Sequence, residues 1–433
     1  MNNYRILRVS HLFYHRALDI LFQKYPDLTT KSYKEQLEIF FSCAFVYTDG
    51  FSRAMRQLGN EAYEIVYDLE WLQKTWAKEK GTKYNEQNWQ QDILLSQICA
   101  IKPDVVYFQH SPPMSHQAFK TLKQDYSFIK KVVVHRGFPG DFDTLTYTDL
   151  LLIGTPQMVK RYEEKGLNSR LVYHYFDESF LEKIPVQKNT GNHDFTFTGS
   201  SGYGFGLAHL PRYKMLIELL QRTPITVWLD ERDKPSKPKI LNPPFNFKVF
   251  FRHLIKVAIG LLPKSFQSYI ATTNTVPLKI QNIVNENLQK AKPTVSDQIL
   301  PKVRIRDVFP NRCYSPLFGL EMFRILSESK VTFNRHVTTA LDNDVGNLRM
   351  FQATGMGACL LTDTGKNMPD LFDEDTEVVT YSSTEECVEK LDYLLKHDDK
   401  RREIARAGQR RTLRDHTAQK RCEQIHEWLN ELL

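Results

Sequence analysis

Several features that would assign a protein to a common class are missing from this sequence. Its six cysteines form no C-x-x-C pair, and several lie in apolar runs, so we expect reduced, buried thiols rather than a disulfide framework. No window reaches about 18 uninterrupted apolar residues, so no segment is expected to span a membrane. The start, MNNYRILRVSHLF, is too short and too polar for a signal peptide. We therefore predict a cytoplasmic protein.

Motifs for common ligands are also scarce. Zinc spacings, an aromatic RNA-binding pattern and a dense basic helix are absent, which argues against nucleic acid as a partner. The glycines of GSSGYG (199–204) lack the G-x-G-x-x-G spacing of a dinucleotide fingerprint, and no P-loop lysine follows them. No D-x-D motif stands at a strand end, because Asp342-Asn343-Asp344 lies in a loop. We predict that no metal or cofactor is required.

What is present fits a globular protein with an anionic ligand. A chain of 433 residues is long for one core, so two domains are expected. Hydrophobic residues make up 41% and charged residues 25%, which is near the globular average. The net charge of +7 suits a sugar nucleotide or an acidic membrane face, but discriminates little between them.

Short apolar strands alternate with helical stretches, which predicts an α/β protein with parallel, doubly wound sheets. The predicted strands of the first half are Ile6–Val9, Glu64–Tyr67, Pro103–Phe108, Lys131–His135, Leu150–Gly154 and Leu171–His174. Those of the second half are Asp194–Thr198, Ile225–Leu229, Val331–Asn334 and Ala358–Thr362.

We predict two Rossmann-like domains that face a cleft, over residues 1–184 and 185–416. A last helix over 417–433 is expected to pack back on the first domain. Residues 233–310 interrupt the pattern and are interpreted as an insertion in the second domain. Its apolar, basic stretch over 247–270 predicts a helix that packs on its own domain or a partner subunit, or alternatively one that lies on an acidic membrane surface.

The second domain is organised around residues 330–363, KVTFNRHVTTALDNDVGNLRMFQATGMGACLLTD. Two buried strands flank a small helix, with Asn347 as its N-cap and the glycines at 355 and 357 at its end. Leu348, Phe351 and Ala353 are expected to face inward. A helix N-terminus beside a loop rich in Asn, His and Arg predicts a site for a phosphate-bearing ligand.

These segments also carry a resemblance. The ordered motifs N-x-H (334–336), N-x-R-x-F (347–351), G-x-G-x-x-L-L-T-D (355–363) and a glycine followed by H-T (408–417) resemble the C-terminal domain of CgeB-like, group 1 glycosyltransferases. The resemblance implies the GT-B fold, with a nucleotide sugar bound by the second domain and the acceptor by the first. Related enzymes often carry two glutamates eight positions apart, and Asp344 and Gln352 stand there in this sequence.

The candidate donor-binding residues follow strand ends and the helix start. We predict contacts from Asn334 and His336, from Asn347 and Arg349, and from Gln352 and Thr354. Gly199 and Ser200 expose backbone amides to an anion or only form a turn. Arg212 is a second candidate for phosphate or a solvated helix residue.

An inverting reaction needs a general base from the first domain. The candidates are His11, Asp49, His110 and His135, and we favour His11 and His135 because both follow buried strands. His174 and Asp177 are expected only to fix the linker.

We therefore predict a metal-independent GT-B glycosyltransferase that moves a sugar from a nucleotide-sugar donor to a glycan, lipid or protein acceptor. Two alternatives stay open: a binding or scaffold protein on this fold that has lost catalysis, and a sugar-nucleotide epimerase.

Overall fold

Two six-stranded sheets form the protein, and every strand pair in them is parallel. The computed structural model describes residues 3–12, 14–45, 48–137, 142–184, 192–231, 301–337 and 343–433. The predicted α/β architecture of two Rossmann-like halves is confirmed.

The first sheet has the strand order β2-β1-β3-β4-β5-β6. Its strands are β1 (Arg5–Ser10), β2 (Glu61–Val66), β3 (Val105–Phe108), β4 (Lys131–Arg136), β5 (Leu150–Ile153) and β6 (Ser169–Leu171). Both faces are covered by helices, which explains why most of these strands are continuous apolar runs. The order reverses between β1 and β3, where ligands bind in open α/β sheets.

Eight helices in the described part of the first half connect these strands, and a ninth follows β6. They are α1 (Ala17–Lys24), α2 (Tyr33–Ser42), α3 (Gly50–Gln57), α4 (Glu70–Glu79), α5 (Trp89–Ile101), α6 (His116–Asp125), α7 (Phe142–Leu145), α8 (Pro156–Glu163) and α9 (Phe180–Lys183). Helix α2 begins with a capping box, in which Ser32 and Glu35 satisfy each other's backbone N–H groups.

The second sheet has the order β12-β11-β10-β7-β8-β9. Its strands are β7 (His193–Ser200), β8 (Thr226–Asp230), β9 (Cys313–Tyr314), β10 (Ser329–Asn334), β11 (Cys359–Asp363) and β12 (Val379–Tyr381). The helices described here are α10 (Leu210–Arg222), α11 (Ile305–Val308), α12 (Leu320–Glu328), α13 (Leu348–Gly355), α14 (Met368–Leu371), α15 (Thr384–Lys396), α16 (Asp398–Asp415) and α17 (Ala418–Leu432).

The last helix returns to the first half of the chain. Helix α17 packs on α3, and Tyr4 Oη lies 2.9 Å from His426 Nδ1. An isolated parallel bridge pairs Phe176 with Thr417 where the chain crosses between the halves. The domain bounds at residues 184 and 416 stay predictions.

Two details differ from the sequence-based predictions, and a third prediction is not tested. The predicted strand Leu171–His174 is wrong in its bounds, because β6 ends at Leu171 and the Tyr173 carbonyl accepts a hydrogen bond from Arg421 instead of a neighbouring strand. Leu348 lines the cleft rather than the core, although Phe351 and Ala353 are buried as expected. The proposed membrane or packing helix over 247–270 lies outside the described residues.

Both glycines that end α13 are required, for different reasons. Gly357 has a φ of +82°, the left-handed conformation that closes a helix. Gly355 remains helical, but a β-carbon there would lie 2.5 Å from the Phe176 ring. The small helix can therefore pack closely on the segment that joins the two halves.

Candidate active site between the two sheets

The carboxyl ends of the two sheets face each other across a cleft that encloses a cavity of about 240 Å³. His110, His135 and His174 line it from the first half, while Leu348 and Gln352 line it from α13. Since ligands of parallel α/β sheets bind at the carboxyl ends of strands, this cavity is the candidate active site.

Arg212 is the central cation on the side of the second sheet. Its side chain is 8% exposed and donates hydrogen bonds to Ser200 Oγ (3.0 Å) and to the carbonyl of Arg335 (3.1 and 2.5 Å). Burial lowers the pKa of Arg212 to about 10, so it remains charged at neutral pH. The interpretation of Arg212 as a solvated helix residue is wrong, because α10 turns this position toward the end of β10.

Arg349 stands near Arg212 without an acidic partner. Its Nη1 lies 2.8 Å from Met322 Sδ. Burial and, to a smaller extent, the charge of Arg212 lower the pKa of Arg349 to about 10. Among the described residues, no carboxylate lies within ion-pair distance of either guanidinium. Asp363 is the acidic group that acts on Arg212 and opposes the lowering of its pKa, but this carboxylate is hydrogen-bonded to His336. Two buried cations, neither of which forms an ion pair among the described residues, favour an anion.

The start of α13 is fixed by two asparagines. Asn347 is the N-cap, and its Oδ1 accepts a hydrogen bond from Met350 N at 3.3 Å, as the sequence predicts. Its Nδ2 donates to Asn334 Oδ1 at 3.0 Å, and Asn334 Nδ2 donates to Thr362 Oγ1 at 2.9 Å. These bonds tie the helix start to the ends of β10 and β11.

His336 holds the same loop from its other side. Its Nδ1 lies 2.8 Å from Asp363 Oδ1, while its Nε2 accepts from the backbone N–H groups of Gly346 (3.0 Å) and Asn347 (3.2 Å). Because Nε2 accepts, the ring proton resides on Nδ1. Both ring nitrogens are therefore used within the protein, and His336 positions α13 rather than presenting a nitrogen to a ligand.

The remaining predicted donor residues divide into two groups. Gly199 and Ser200 end β7 beside Arg212, and Gln352 lines the cavity. Thr354 faces the other way, since its hydroxyl donates to the Met350 carbonyl and contacts Thr412 Oγ1 at 2.6 Å inside the core. A direct donor contact from the Thr354 side chain is incompatible with this position.

Asp344 lies where the two halves of the molecule meet. Its Oδ2 accepts a hydrogen bond from Gln157 N, at the start of α8, at 3.2 Å. The residue that stands in place of a family glutamate therefore contacts the opposite half of the chain.

Four histidines form a row along the edge of the first sheet. The ring centroids of His11 and His110 are 4.5 Å apart, those of His110 and His135 6.3 Å, and those of His135 and His174 6.0 Å. The row follows the strand order, because β1, β3 and β4 are neighbours in the sheet. His135 lines the cavity, whereas His11 is not among its described lining residues and packs on His110.

Burial keeps this row uncharged at neutral pH. It lowers the pKa of His11 to about 4, of His110 to about 2, of His135 to about 3 and of His174 to about 4. Neighbouring positive groups lower these pKa values further. Neutral imidazoles can accept a hydrogen bond from a hydroxyl group.

Asp177 supplies a carboxylate to the same cavity. Its Oδ1 accepts from Arg53 Nη2 at 2.6 Å, and its Oδ2 from the Thr48 hydroxyl. His174 and Asp177, expected only to fix the linker, both line the cavity. Their proximity to the other histidines depends on how the chain crosses between the sheets, which the local sequence pattern does not reveal.

Among the residues that the structure describes, no three His, Cys, Asp or Glu side chains meet in an arrangement that could hold a metal ion. No helix there is long and apolar enough to cross a bilayer.

Comparisons with known proteins agree with this geometry. Residues 301–427 match the family model described as "Glycosyl transferase-like". No curated protein sequence matches the chain. The carboxyl-terminal part, which contains α13 and strands β9 to β12, is therefore similar to a glycosyl transferase-like domain.

Similar solved structures cover nearly the whole chain. Anabaena HepE in complex with UDP-glucose is 11% identical, with a TM-score of 0.51 over 99% of this chain and 100% of that one. A glycosyltransferase from Rickettsia africae is 10% identical, with a TM-score of 0.51 over 100% and 99%. Sucrose-phosphate synthase from Thermosynechococcus elongatus is 10% identical, with a TM-score of 0.50 over 99% and 98%. These likenesses show that the chain has the GT-B fold.

Proposed function

We propose that this protein transfers a sugar from a nucleotide-sugar donor to an acceptor hydroxyl in the cleft, as an enzyme of the CgeB-like kind that its motifs resemble. The observation that carries the proposal is the pair Arg212 and Arg349, two buried cations on the second-sheet side of the cleft that form no ion pair among the described residues. A nucleoside diphosphate is the leaving group that such a transfer releases, and it carries the charge that these cations would neutralise.

The donor diphosphate is assigned to the end of β7 and the start of α13. Arg212 would bind it as a planar fork of donors, with Ser200 and the backbone after β7 beside it. Arg349 would approach from α13, and Gln352, which lines the cavity, would hydrogen-bond a hydroxyl of the ribose or the sugar. We propose that these groups stabilise the leaving charge without a required metal ion.

The acceptor is assigned to the opposite edge. A hydroxyl group placed between His110 and His135 would meet neutral imidazoles that accept its hydrogen bond and orient its lone pair toward the sugar carbon. His135 remains our proposed base, because its ring lines the cavity. His11 would act through His110, on which it packs.

The fold also supports the assignment of the donor to the second half of the chain and the acceptor to the first half. HepE, of which a complex with UDP-glucose has been solved, shares the two-sheet arrangement over nearly its full length. We therefore propose a UDP-sugar as the first donor to be examined. All six cysteines are unpaired, which agrees with our proposal of a reducing, cytoplasmic location.

Donor hydrolysis and transfer with a panel of nucleotide sugars test the proposal. We expect at least one donor to be turned over, and Arg212→Gln to lower that rate. Arg222→Gln is the matched control, since Arg222 lies on the same helix but pairs only with the exposed Glu385 at 3.2 Å. Absence of both turnover and a nucleotide-dependent thermal shift would contradict the proposal and favour a binding or scaffold protein.

A further inference from the structure

A second and larger concavity lies outside the cleft, along the edge strand β2. We call it the side groove; its volume is about 600 Å³, within the range of ligand sites. Apolar atoms make up most of its lining, and its floor consists of Leu37, Phe41, Ile65, Trp76, Ala100 and Ile101. A chain-like apolar ligand would fit such a groove.

The rim of the side groove is positively charged. Lys80 and Lys183 have no described ion-pair partner, and Arg56 donates only to the Ala62 carbonyl at 3.1 and 2.7 Å. Of the carboxylates in the lining, Glu64 pairs with Arg8 at 2.6 Å, Asp49 with Arg53 at 2.9 Å, and the exposed Glu38 with Lys34 at 3.9 Å. The free charge at the rim therefore complements an anion.

The lining also contains two buried polar groups. Gln97 is 1% exposed, and its carboxamide interacts with the Tyr33 hydroxyl, which lines the same groove. These two groups place polar atoms beside the apolar floor.

The side groove and the cleft share a wall. Thr48 and Phe180 line the cavity of the cleft, whereas Asp49 and Lys183 line the groove on the other side of the same two segments. An acceptor whose head enters the cleft could therefore extend its tail past this wall into the groove.

We propose that the side groove binds the hydrocarbon chain of a lipid phosphate, with the phosphate against the rim cations. The further assignment of that lipid as the carrier of the acceptor rests on the proposed function. An apolar floor, a cationic rim and a wall shared with the cleft together favour this occupant over a free sugar, which would leave the floor uncovered.

Calorimetric titration of the full chain with farnesyl monophosphate, below its aggregation concentration, tests the proposal. We expect saturable, one-to-one binding that Ala100→Trp weakens by about tenfold or more by filling the groove. Gln117→Trp, on the exposed surface of α6, is the matched control. Lys80→Gln is expected to weaken binding several-fold, and Lys78→Gln, two residues earlier on the same helix, is its control.

The outcomes separate this inference from the proposed function. Absence of saturable binding, or equal binding by the Ala100→Trp and Gln117→Trp variants, would overturn it, as would farnesol binding as tightly as its phosphate. UDP binding by the Ala100→Trp variant should equal that of the wild type, which shows that the variant is folded. Farnesyl phosphate binding without any sugar turnover would support the groove and contradict the transferase.

Discussion

The two edges of the cleft differ in charge although their strands have the same architecture. The first edge carries a row of four imidazoles that burial keeps neutral, whereas the second carries Arg212 and Arg349, which are charged and form no ion pair among the described residues. A neutral edge suits an uncharged hydroxyl group that must approach and lose a proton, and a cationic edge suits a departing diphosphate. The contrast assigns the two halves of a transfer reaction to the two halves of the chain.

Removal of the Arg212 charge, the central cation of the second edge, should have the largest effect on activity. We expect Arg212→Gln to lower kcat/KM for the donor by about 100-fold or more, roughly 3 kcal/mol, because it removes charge stabilisation of the leaving group. Steady-state kinetics with the best donor measures this effect. Activity within a few-fold of the wild type would show that Arg212 serves only to hold Ser200 and the Arg335 carbonyl in place.

The pH dependence of stability tests whether the imidazoles of the first edge are neutral. His135 is neutral in the folded protein down to about pH 3, whereas the unfolded chain takes up this proton near pH 6.5. The unfolded state binds more protons in this window, so the free energy of unfolding should fall as the pH is lowered through it.

Removal of one imidazole should make this dependence shallower. Between about pH 6.5 and 4.5, His135→Asn should lose about 2 kcal/mol less stability than the wild type. Urea unfolding at several pH values measures the difference. Parallel stability curves for the two proteins would contradict a buried, neutral imidazole at this position.

Removal of the Arg349 charge should have a smaller effect, weakening diphosphate binding without lowering the stability of the protein. Arg349→Met should weaken nucleoside diphosphate binding by about tenfold, while the melting temperature stays equal or rises because a buried cation without a partner is removed. Calorimetry and thermal denaturation measure the two quantities.

A second arginine provides the control for this variant. Arg401 is also buried, but it pairs with Asp398 and donates to the Leu394 carbonyl at 3.3 Å, so Arg401→Met should destabilise the protein. A loss of stability in both variants would mean that Arg349 is structural.

Chelation is the condition with the smallest expected effect. If the two guanidinium groups compensate the leaving charge, transfer rates in the presence of EDTA should stay within about twofold of those with added Mg²⁺. Loss of activity that Mg²⁺ restores would contradict the proposed metal independence.

The strand positions and the small helix could be predicted because local signals determine them. Apolar runs located the strands, and Asn347, the N-cap and first residue of the N-x-R-x-F motif, located the start of α13. The two-residue strand β9 was missed, since it is too short to produce a periodic pattern.

The arrangement of side chains in the site was less predictable, because it depends on contacts between distant segments. His336 was expected to bind the donor, yet both its nitrogens are used by Asp363 and the loop before α13. Arg212 could not be distinguished from a solvated residue until α10 was placed against β10. The histidines were recognised singly. The strand order brings His11, His110 and His135 into one row, and the chain that crosses between the sheets adds His174.

The central claim is that Arg212 and Arg349 bind a diphosphate, and one calorimetric comparison tests it most directly. Four nucleoside diphosphates (UDP, GDP, ADP and dTDP) and their monophosphates would be titrated into the wild type and into the Arg212→Gln/Arg349→Met double variant. We expect at least one diphosphate to bind the wild type about tenfold or more tightly than its monophosphate, and this difference to vanish in the double variant. Equal affinities in the wild type, or an unchanged preference in the double variant, would contradict the claim.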